Sequence, residues 1–271
     1  MRRKYFDNKI EVVFLLFAVL VLIVVCCIKW GEIRALAVDS YEDATYTLSP
    51  SAARAYAYGD RHFNISNPSD YDIDRANHFF ELAATQDPTL PYVYHQLARI
   101  AFLQGDFQKA IAEINVQISM HGDSEPSSYY VRGLIEGYMG NYTDSERDYA
   151  HYLLYDPIDW AAVNDYSWVL LKDGKPAQAD AAIEKVLQYF PDNAWLFNSD
   201  AIALSALGAA TSARERIAVA ARSVANLTAG NWSRAYPGND PEVASEAVIA
   251  FKKAIAENIH TIDGGAPIPA L

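Results

Sequence analysis

Thiols are nearly absent from this chain of 271 residues. Its two cysteines, Cys26 and Cys27, sit side by side in one apolar run, and none follows between Ile28 and Leu271. A disulfide framework, a cysteine nucleophile and a thiolate-bound metal are therefore excluded beyond that run. The six histidines, His62, His78, His95, His121, His151 and His260, show neither His-x-x-x-His nor His-Glu-x-x-His spacing, so the usual zinc signatures are missing. There is no Gly-rich phosphate loop and no Gly-x-Ser-x-Gly elbow. The chain is accordingly expected not to be an enzyme, with no cofactor and no metal. With 13 glycines, 12 prolines and 51% hydrophobic residues, it is neither collagen-like nor disordered, and it can bury a continuous core.

Positive charge is also in short supply: 22 Lys and Arg stand against 34 Asp and Glu, a net charge of −12. Residues 1–37 hold six of the basic side chains and only three acidic ones, which leaves the remainder still more acidic than the total suggests. Binding a phosphate backbone requires Lys and Arg to displace condensed counterions, so nucleic acid is not an expected partner.

What the amino terminus does have is a run of 17 apolar residues, Val12 to Ile28. This is the short end of what crosses about 30 Å of hydrocarbon as a helix. Tyr5, Phe6 and Trp30 flank it at headgroup level. Arg2, Arg3, Lys4 and Lys9 precede it, and Glu32, Asp39, Glu42 and Asp43 follow. By the positive-inside rule the amino terminus stays in the cytoplasm and the rest lies outside. Ala35-Leu36-Ala37 has the small-x-small form of a signal-peptidase site, but the length of the run and the charges of Lys29, Glu32 and Arg34 before it favour a retained anchor. The lipid bilayer is thus one expected partner. Four sequons begin at Asn64, Asn141, Asn226 and Asn231; among thirteen asparagines they carry no information about compartment.

The body repeats with a period of 34. Gly105, Gly140, Gly174 and Gly208 fall 35, 34 and 34 residues apart. In phase with them come the small residues Ala76, Ala110, Ser145, Ala179 and Ala213. Four positions later stand Phe80, Ile114, Tyr149, Ile183 and Ile217, and Pro88, Pro157 and Pro191 close units. Small side chains let helices approach, the large residue one turn on fills the space between them, and glycine ends a helix where φ turns positive. This pattern resembles the tetratricopeptide repeat, over roughly residues 50–227. The resemblance implies an all-α fold: a right-handed solenoid of about four to five helix pairs with units near 91–124, 126–159, 160–193 and 194–227, and a divergent first pair interrupted by the insertion Asn64–Asp70. Asp240-Pro241 is a helix start. The stripe Val243, Ala247, Val248, Phe251, Ala254, Ile255 and Ile259 after it marks a capping helix. The expected order is a cytoplasmic 1–11, an anchor helix at 12–30, a linker at 31–48, the solenoid at 49–227, a loop at 228–240, the cap at 241–260 and a tail at 261–271. Arg132, Asp200 and Gln117 depart from the family's usual residues.

In that family the exposed side of each first helix lines a concave face. The resemblance therefore implies a groove of Tyr92, His95, Arg99, Phe102 and Leu103, then Tyr130, Leu134 and Tyr138, then Asn164, Trp168, Leu171 and Lys172, and finally Trp195, Asn198 and Ile202. Rigid rings with polar tips give contact area at low entropic cost. Asn164 and Asn198, one repeat apart, could bond the backbone of an extended peptide. With only Arg99 and Lys172 basic, the groove is not expected to grip a terminal carboxylate. A scaffold or adaptor binding a protein or peptide outside the cytoplasmic membrane is the expected function. A cytosol-facing organelle receptor and a self-associating structural protein are the alternatives.

Overall fold

The computed structural model describes Val19, Val21, Trp30, Gly31, residues 33–63 and residues 70–264. The expected anchor lies outside the described residues but for those isolated positions; so do residues 64–69 of the insertion and 265–271 of the tail. Among the described residues no helix is long and apolar enough to cross a membrane.

The chain divides into two units, 1–51 and 52–271. In the first, residues 33–48 form a helix, α1, where a linker was expected. The stretch has no Gly or Pro until Pro50 and begins with the good helix formers Arg34, Ala35, Leu36 and Ala37. Ser40, Thr45 and Thr47 direct their hydroxyls to carbonyls four residues back, so these polar side chains do not compete with the helix.

The second unit is made of helices alone among the described residues. Five pairs follow one another: α2 (Ala52–Phe63) with α3 (Ile73–Gln86), α4 (Val93–Leu103) with α5 (Phe107–His121), α6 (Ser127–Tyr138) with α7 (Tyr142–Tyr152), α8 (Trp160–Lys172) with α9 (Pro176–Leu187), and α10 (Ala194–Ala206) with α11 (Ala210–Ala225). Each helix packs on its predecessor and successor, and the first helices α4, α6, α8 and α10 also touch in series. That inner row makes the array a solenoid, stable through contacts between neighbouring units.

The repeat positions do what their sizes require. All five in-phase small residues are fully buried, and the large residues one turn later are almost fully so. Burying a side chain of Ile183's size contributes about 1.5–3 kcal/mol. At the α6–α7 junction, Ser145 donates its hydroxyl to the Gly133 carbonyl at 2.6 Å, and a Cβ on Gly133 would lie 3.1 Å from the Tyr149 ring. The four turn glycines have φ between 71° and 81°, the left-handed conformation in which glycine avoids the Cβ penalty. Helix starts are capped by Asp72, Asp106, Asp159 and Asn193.

Each of the three departures from the repeat pattern has a partner, although Gln117 Nε2 and the Asp200 oxygens are buried without a hydrogen bond. Arg132 grips Asp148 in two bonds of 2.5 and 2.8 Å. Asp200 faces Arg216 at 2.7 Å. Gln117 accepts the backbone N–H of His95 at 3.3 Å.

The largest difference from expectation lies in 228–240. Instead of a plain loop, it contains α12 (Ala229–Ala235), started by a capping box in which Thr228 and Asn231 satisfy each other's backbone. The expected cap then begins at Asp240, whose carboxylate accepts from the Glu242 N–H at 2.8 Å. A 3₁₀ turn, Pro241–Val243, leads into α13 (Ala244–Asp263), which packs on α10, α11 and α12.

Candidate concave binding site

The row of first helices floors a cavity of about 890 Å³, within the size range of ligand sites. His95, Arg99 and Phe102 of α4 line it, as do Tyr130 and Tyr138 of α6, Asn164 and Trp168 of α8, and Trp195 and Asn198 of α10. Leu103 and Leu134 also take part. The sequence-derived face therefore converges on one place.

Four residues of that face stand elsewhere. Tyr92 is the residue before α4, in a left-handed conformation with φ 65°, and its ring meets His95 edge-on at 5.5 Å. Lys172 lies over the Trp168 ring at 5.9 Å without lining the cavity. Ile202 is buried in the core, and Leu171 packs against it. The asparagine ladder is already engaged: the Asn164 amide oxygen accepts from the Ser199 hydroxyl at 2.8 Å, and the Asn198 oxygen accepts from Asn258 of the cap at 2.9 Å. Both side chains thus already hold a bond within the structure, one to Ser199 of the next first helix and one to the cap.

The other wall comes from the chain itself. Trp232, Ala235, Tyr236, Pro237 and Asn239 line the same cavity, so the 228–240 segment forms a strap across the concave face. Trp195 joins it to the floor, with ring centroids 5.9 Å from Trp232, 6.2 Å from Tyr236 and 5.4 Å from Phe251. At the far end, Arg99 donates to the Pro237 carbonyl and covers the Phe63 ring at 4.7 Å, while the Tyr71 hydroxyl donates to the Gly238 carbonyl at 3.0 Å. Sequence reasoning placed the strap in a loop. Its capping box and the spacing of Trp232 and Tyr236, one turn apart, were the available signals.

The cavity is electrically polarised. At the Arg99 end, burial and that guanidinium push His95 down to about 3, so its ring is neutral; Nδ1 lies 3.2 Å from the Ser128 hydroxyl. On α8, Asp165, also missed from the sequence, carries a carboxyl raised to about 6 by burial, against the opposing pull of hydrogen bonds from Tyr130 and Asn164. Tyr130 donates to Asp165 Oδ2 at 2.7 Å. Burial raises the phenols of Tyr138 and Tyr236, and the nearby Asp165 charge adds to both shifts.

One acidic group elsewhere has metal-like proximity. Single oxygens of Asp180, Glu184 and Asp200 lie within 4.8 Å of one another, but Arg216 pairs with Glu184 and Asp200 and supplies the positive charge there. Burial still lifts the Asp200 carboxyl to about 7.

No protein-family model and no curated protein matches this sequence. Solved structures do. A tetratricopeptide repeat protein from Parabacteroides merdae aligns with a TM-score of 0.57 and 14% identity, over 87% of this chain and 94% of that one. YrrB, described as a tetratricopeptide protein with an unusual peptide-binding site, aligns at 0.55 and 13%, over 68% and 93%. PilW, described as a widely conserved type IV pilus biogenesis factor, aligns at 0.53 and 19%, over 70% and 90%. At these identities the likeness concerns the fold, and the fold is that of tetratricopeptide-repeat proteins.

Proposed function

We propose that this chain is a membrane-anchored tetratricopeptide scaffold, which receives a segment of a partner protein on its concave face outside the cytoplasmic membrane. The observation that carries the reading is the 890 Å³ cavity, to which four successive first helices each contribute aromatic or polar side chains. Clustered Trp, Tyr and Arg are the residue types that dominate binding energy at protein interfaces. The peptide-binding site described for YrrB agrees in kind, as does the description of PilW as a pilus biogenesis factor. Val12–Ile28 with its basic leading flank supports the anchor and its orientation. No catalytic constellation is invoked; binding is non-covalent.

Tyr138 and Tyr189 allow a matched test, because they are 57% and 56% exposed but only Tyr138 lines the cavity. A photo-crosslinking residue is placed at either position in the full-length protein in its own membrane. A discrete adduct from position 138, absent from 189 and lost with Trp168→Ala, is expected. Equal labelling from both positions would discard the concave face. Protease added to spheroplasts should cut the repeat domain, whereas inverted vesicles should protect it. The reverse pattern would place the domain in the cytosol.

A further inference from the structure

Among the described residues Asp165 has no cationic partner. Tyr130 satisfies one oxygen at 2.7 Å and Asn164 approaches the other at 3.3 Å, yet among the described residues no Lys or Arg pairs with it. Two other semi-buried carboxylates do have one, Asp148 with Arg132 and Glu146 with Lys175, whereas Glu136 has a buried oxygen without a hydrogen bond but does not line the cavity. An ionised carboxylate taken out of water is costly unless paired, and one left unpaired in the wall of a cavity is a recognised mark of a binding site. Two oxygens provide about four acceptor positions, so capacity remains after the two bonds present.

Two aromatic groups line the cavity together with this carboxylate. One joins Tyr138 and Trp168, with centroids 5.2 Å apart. The other joins Trp195, Trp232 and Tyr236, with Trp232 and Tyr236 at 4.7 Å. Asp165 lines the same cavity as both groups, and its charge adds to the upward shift of the Tyr138 and Tyr236 phenols. The negative face of an aromatic ring attracts a cation, most strongly where water is displaced. Rings plus one uncompensated carboxylate in a chain of net charge −12 form a site complementary to an organic cation. Of the cations near these rings, Arg99 is taken up by the Pro237 carbonyl and Gln96, and Lys172 lies over the Trp168 ring at 5.9 Å without lining the cavity.

We infer that the cavity contains an ammonium subsite, in which Asp165 and the rings of Tyr138, Trp168, Trp195, Trp232 and Tyr236 take an alkylammonium group. The group is carried either by a lysine side chain of a partner segment or by a free small amine. The lysine form rests on the partner-binding reading above; the free-amine form does not.

The test uses the full-length protein in detergent micelles at constant ionic strength, with intrinsic tryptophan fluorescence and calorimetry as readouts. Choline is titrated beside 3,3-dimethylbutan-1-ol, which has nearly the same shape without the charge, and N-acetyl-lysine methylamide is titrated separately. Saturable binding of choline at least tenfold tighter than its neutral counterpart is expected. Asp165→Asn, which keeps an acceptor for Tyr130, should weaken choline at least tenfold and leave the neutral alcohol unchanged. Trp168→Leu, which keeps apolar volume but removes a ring, should act in the same direction. Lysine amide binding as tightly as choline assigns the subsite to a partner side chain, and choline alone assigns it to a free amine. Equal binding of choline and the alcohol, insensitivity to Asp165→Asn in a protein whose melting curve is unaltered, or no saturation by either ammonium compound would overturn the subsite. A crosslinked adduct at position 138 without ammonium binding would reject this inference alone. Ammonium binding without an adduct would reject the partner reading alone.

Discussion

The hydroxyl of Tyr71 donates to the carbonyl of Gly238, 167 residues further along the chain, at 3.0 Å. Next to it, Arg99 reaches the Pro237 carbonyl. These bonds connect the strap to the first units of the array, although the strap enters beside the last pair. A solenoid normally stabilises itself only between neighbours; here one segment adds contacts of very high sequence separation. The concave face is consequently bounded by the strap as well as by the first helices.

Gly238 is where that connection is most vulnerable. Its φ is 90°, and an added Cβ would lie 2.7 Å from Arg99 Nη2 and 2.8 Å from the Phe63 ring. Gly238→Ala combines left-handed strain with overlap, worth about 1–3 kcal/mol. Because the repeats pack without the strap, hydrogen exchange should show faster exchange in residues 228–240, with little change in α8 and α9. Uniform acceleration throughout the repeats would show the strap to be integral to the global fold.

The Arg132–Asp148 pair replaces an apolar contact at the α6–α7 junction, its side chains 23% and 5% exposed. Removing one partner leaves a semi-buried charge, so Asp148→Ala should destabilise by about 3 kcal/mol in urea titrations. The double variant Arg132→Met with Asp148→Leu should recover most of that loss. Additive losses instead would mean that the pair is not coupled.

His95 makes stability depend on pH. Its folded pKa is held down at about 3, by burial first and then by Arg99, whereas the unfolded ring titrates near 6.5. Between those values only the unfolded chain takes up the proton. The contribution is complete above about pH 6.5 and is lost progressively as pH falls toward 3. At pH 5 the loss is about 2 kcal/mol. Asp165, Glu136 and Asp200 act in the opposite sense: their carboxyls are raised to about 6, 7 and 7, so their contribution falls as pH rises through those values. Comparing wild type with His95→Gln at pH 7.5 and pH 5 cancels the carboxyls to first order. The stability difference between the two proteins should shift by about 2 kcal/mol toward the variant at the lower pH; a constant difference would exclude a neutral buried His95.

Tyr149 fills the α6–α7 interior, fully buried, and its hydroxyl has no hydrogen-bond partner. Burying an unpaired hydroxyl costs about 1–3 kcal/mol. Tyr149→Phe keeps the ring and should be neutral or up to about 1 kcal/mol more stable by chemical denaturation. A clear loss of stability would reveal a bridging water.

The residues that deciding by pattern could reach were those whose role is local and repeated. A glycine every 34 residues ends a helix because of its own backbone freedom. A small residue such as Ser145 buries against Gly133 because helices in every pair approach in the same way. Eleven of the fifteen residues assigned to the concave face line the cavity for the same reason: their positions within a repeat set which way they point. Arg132 and Asp200 were visible as exceptions, but their partners Asp148 and Arg216 lie on the following helix and are recognisable only once the pairs are packed.

Tertiary structure alone decided what closes the chamber and what charges it. The strap has no counterpart in the other repeats, so no periodicity pointed to Trp232, Tyr236 or Pro237. Asp165 follows Asn164 in an otherwise ordinary helix, and only the packing of the helices puts its carboxylate in the cavity wall with no Lys or Arg beside it among the described residues. Helix identity and facing follow from short-range sterics, which the linear order of residues carries by itself. Enclosure and electrostatic environment arise from groups brought together across as many as 167 positions, and those depend on how the whole array folds back on itself.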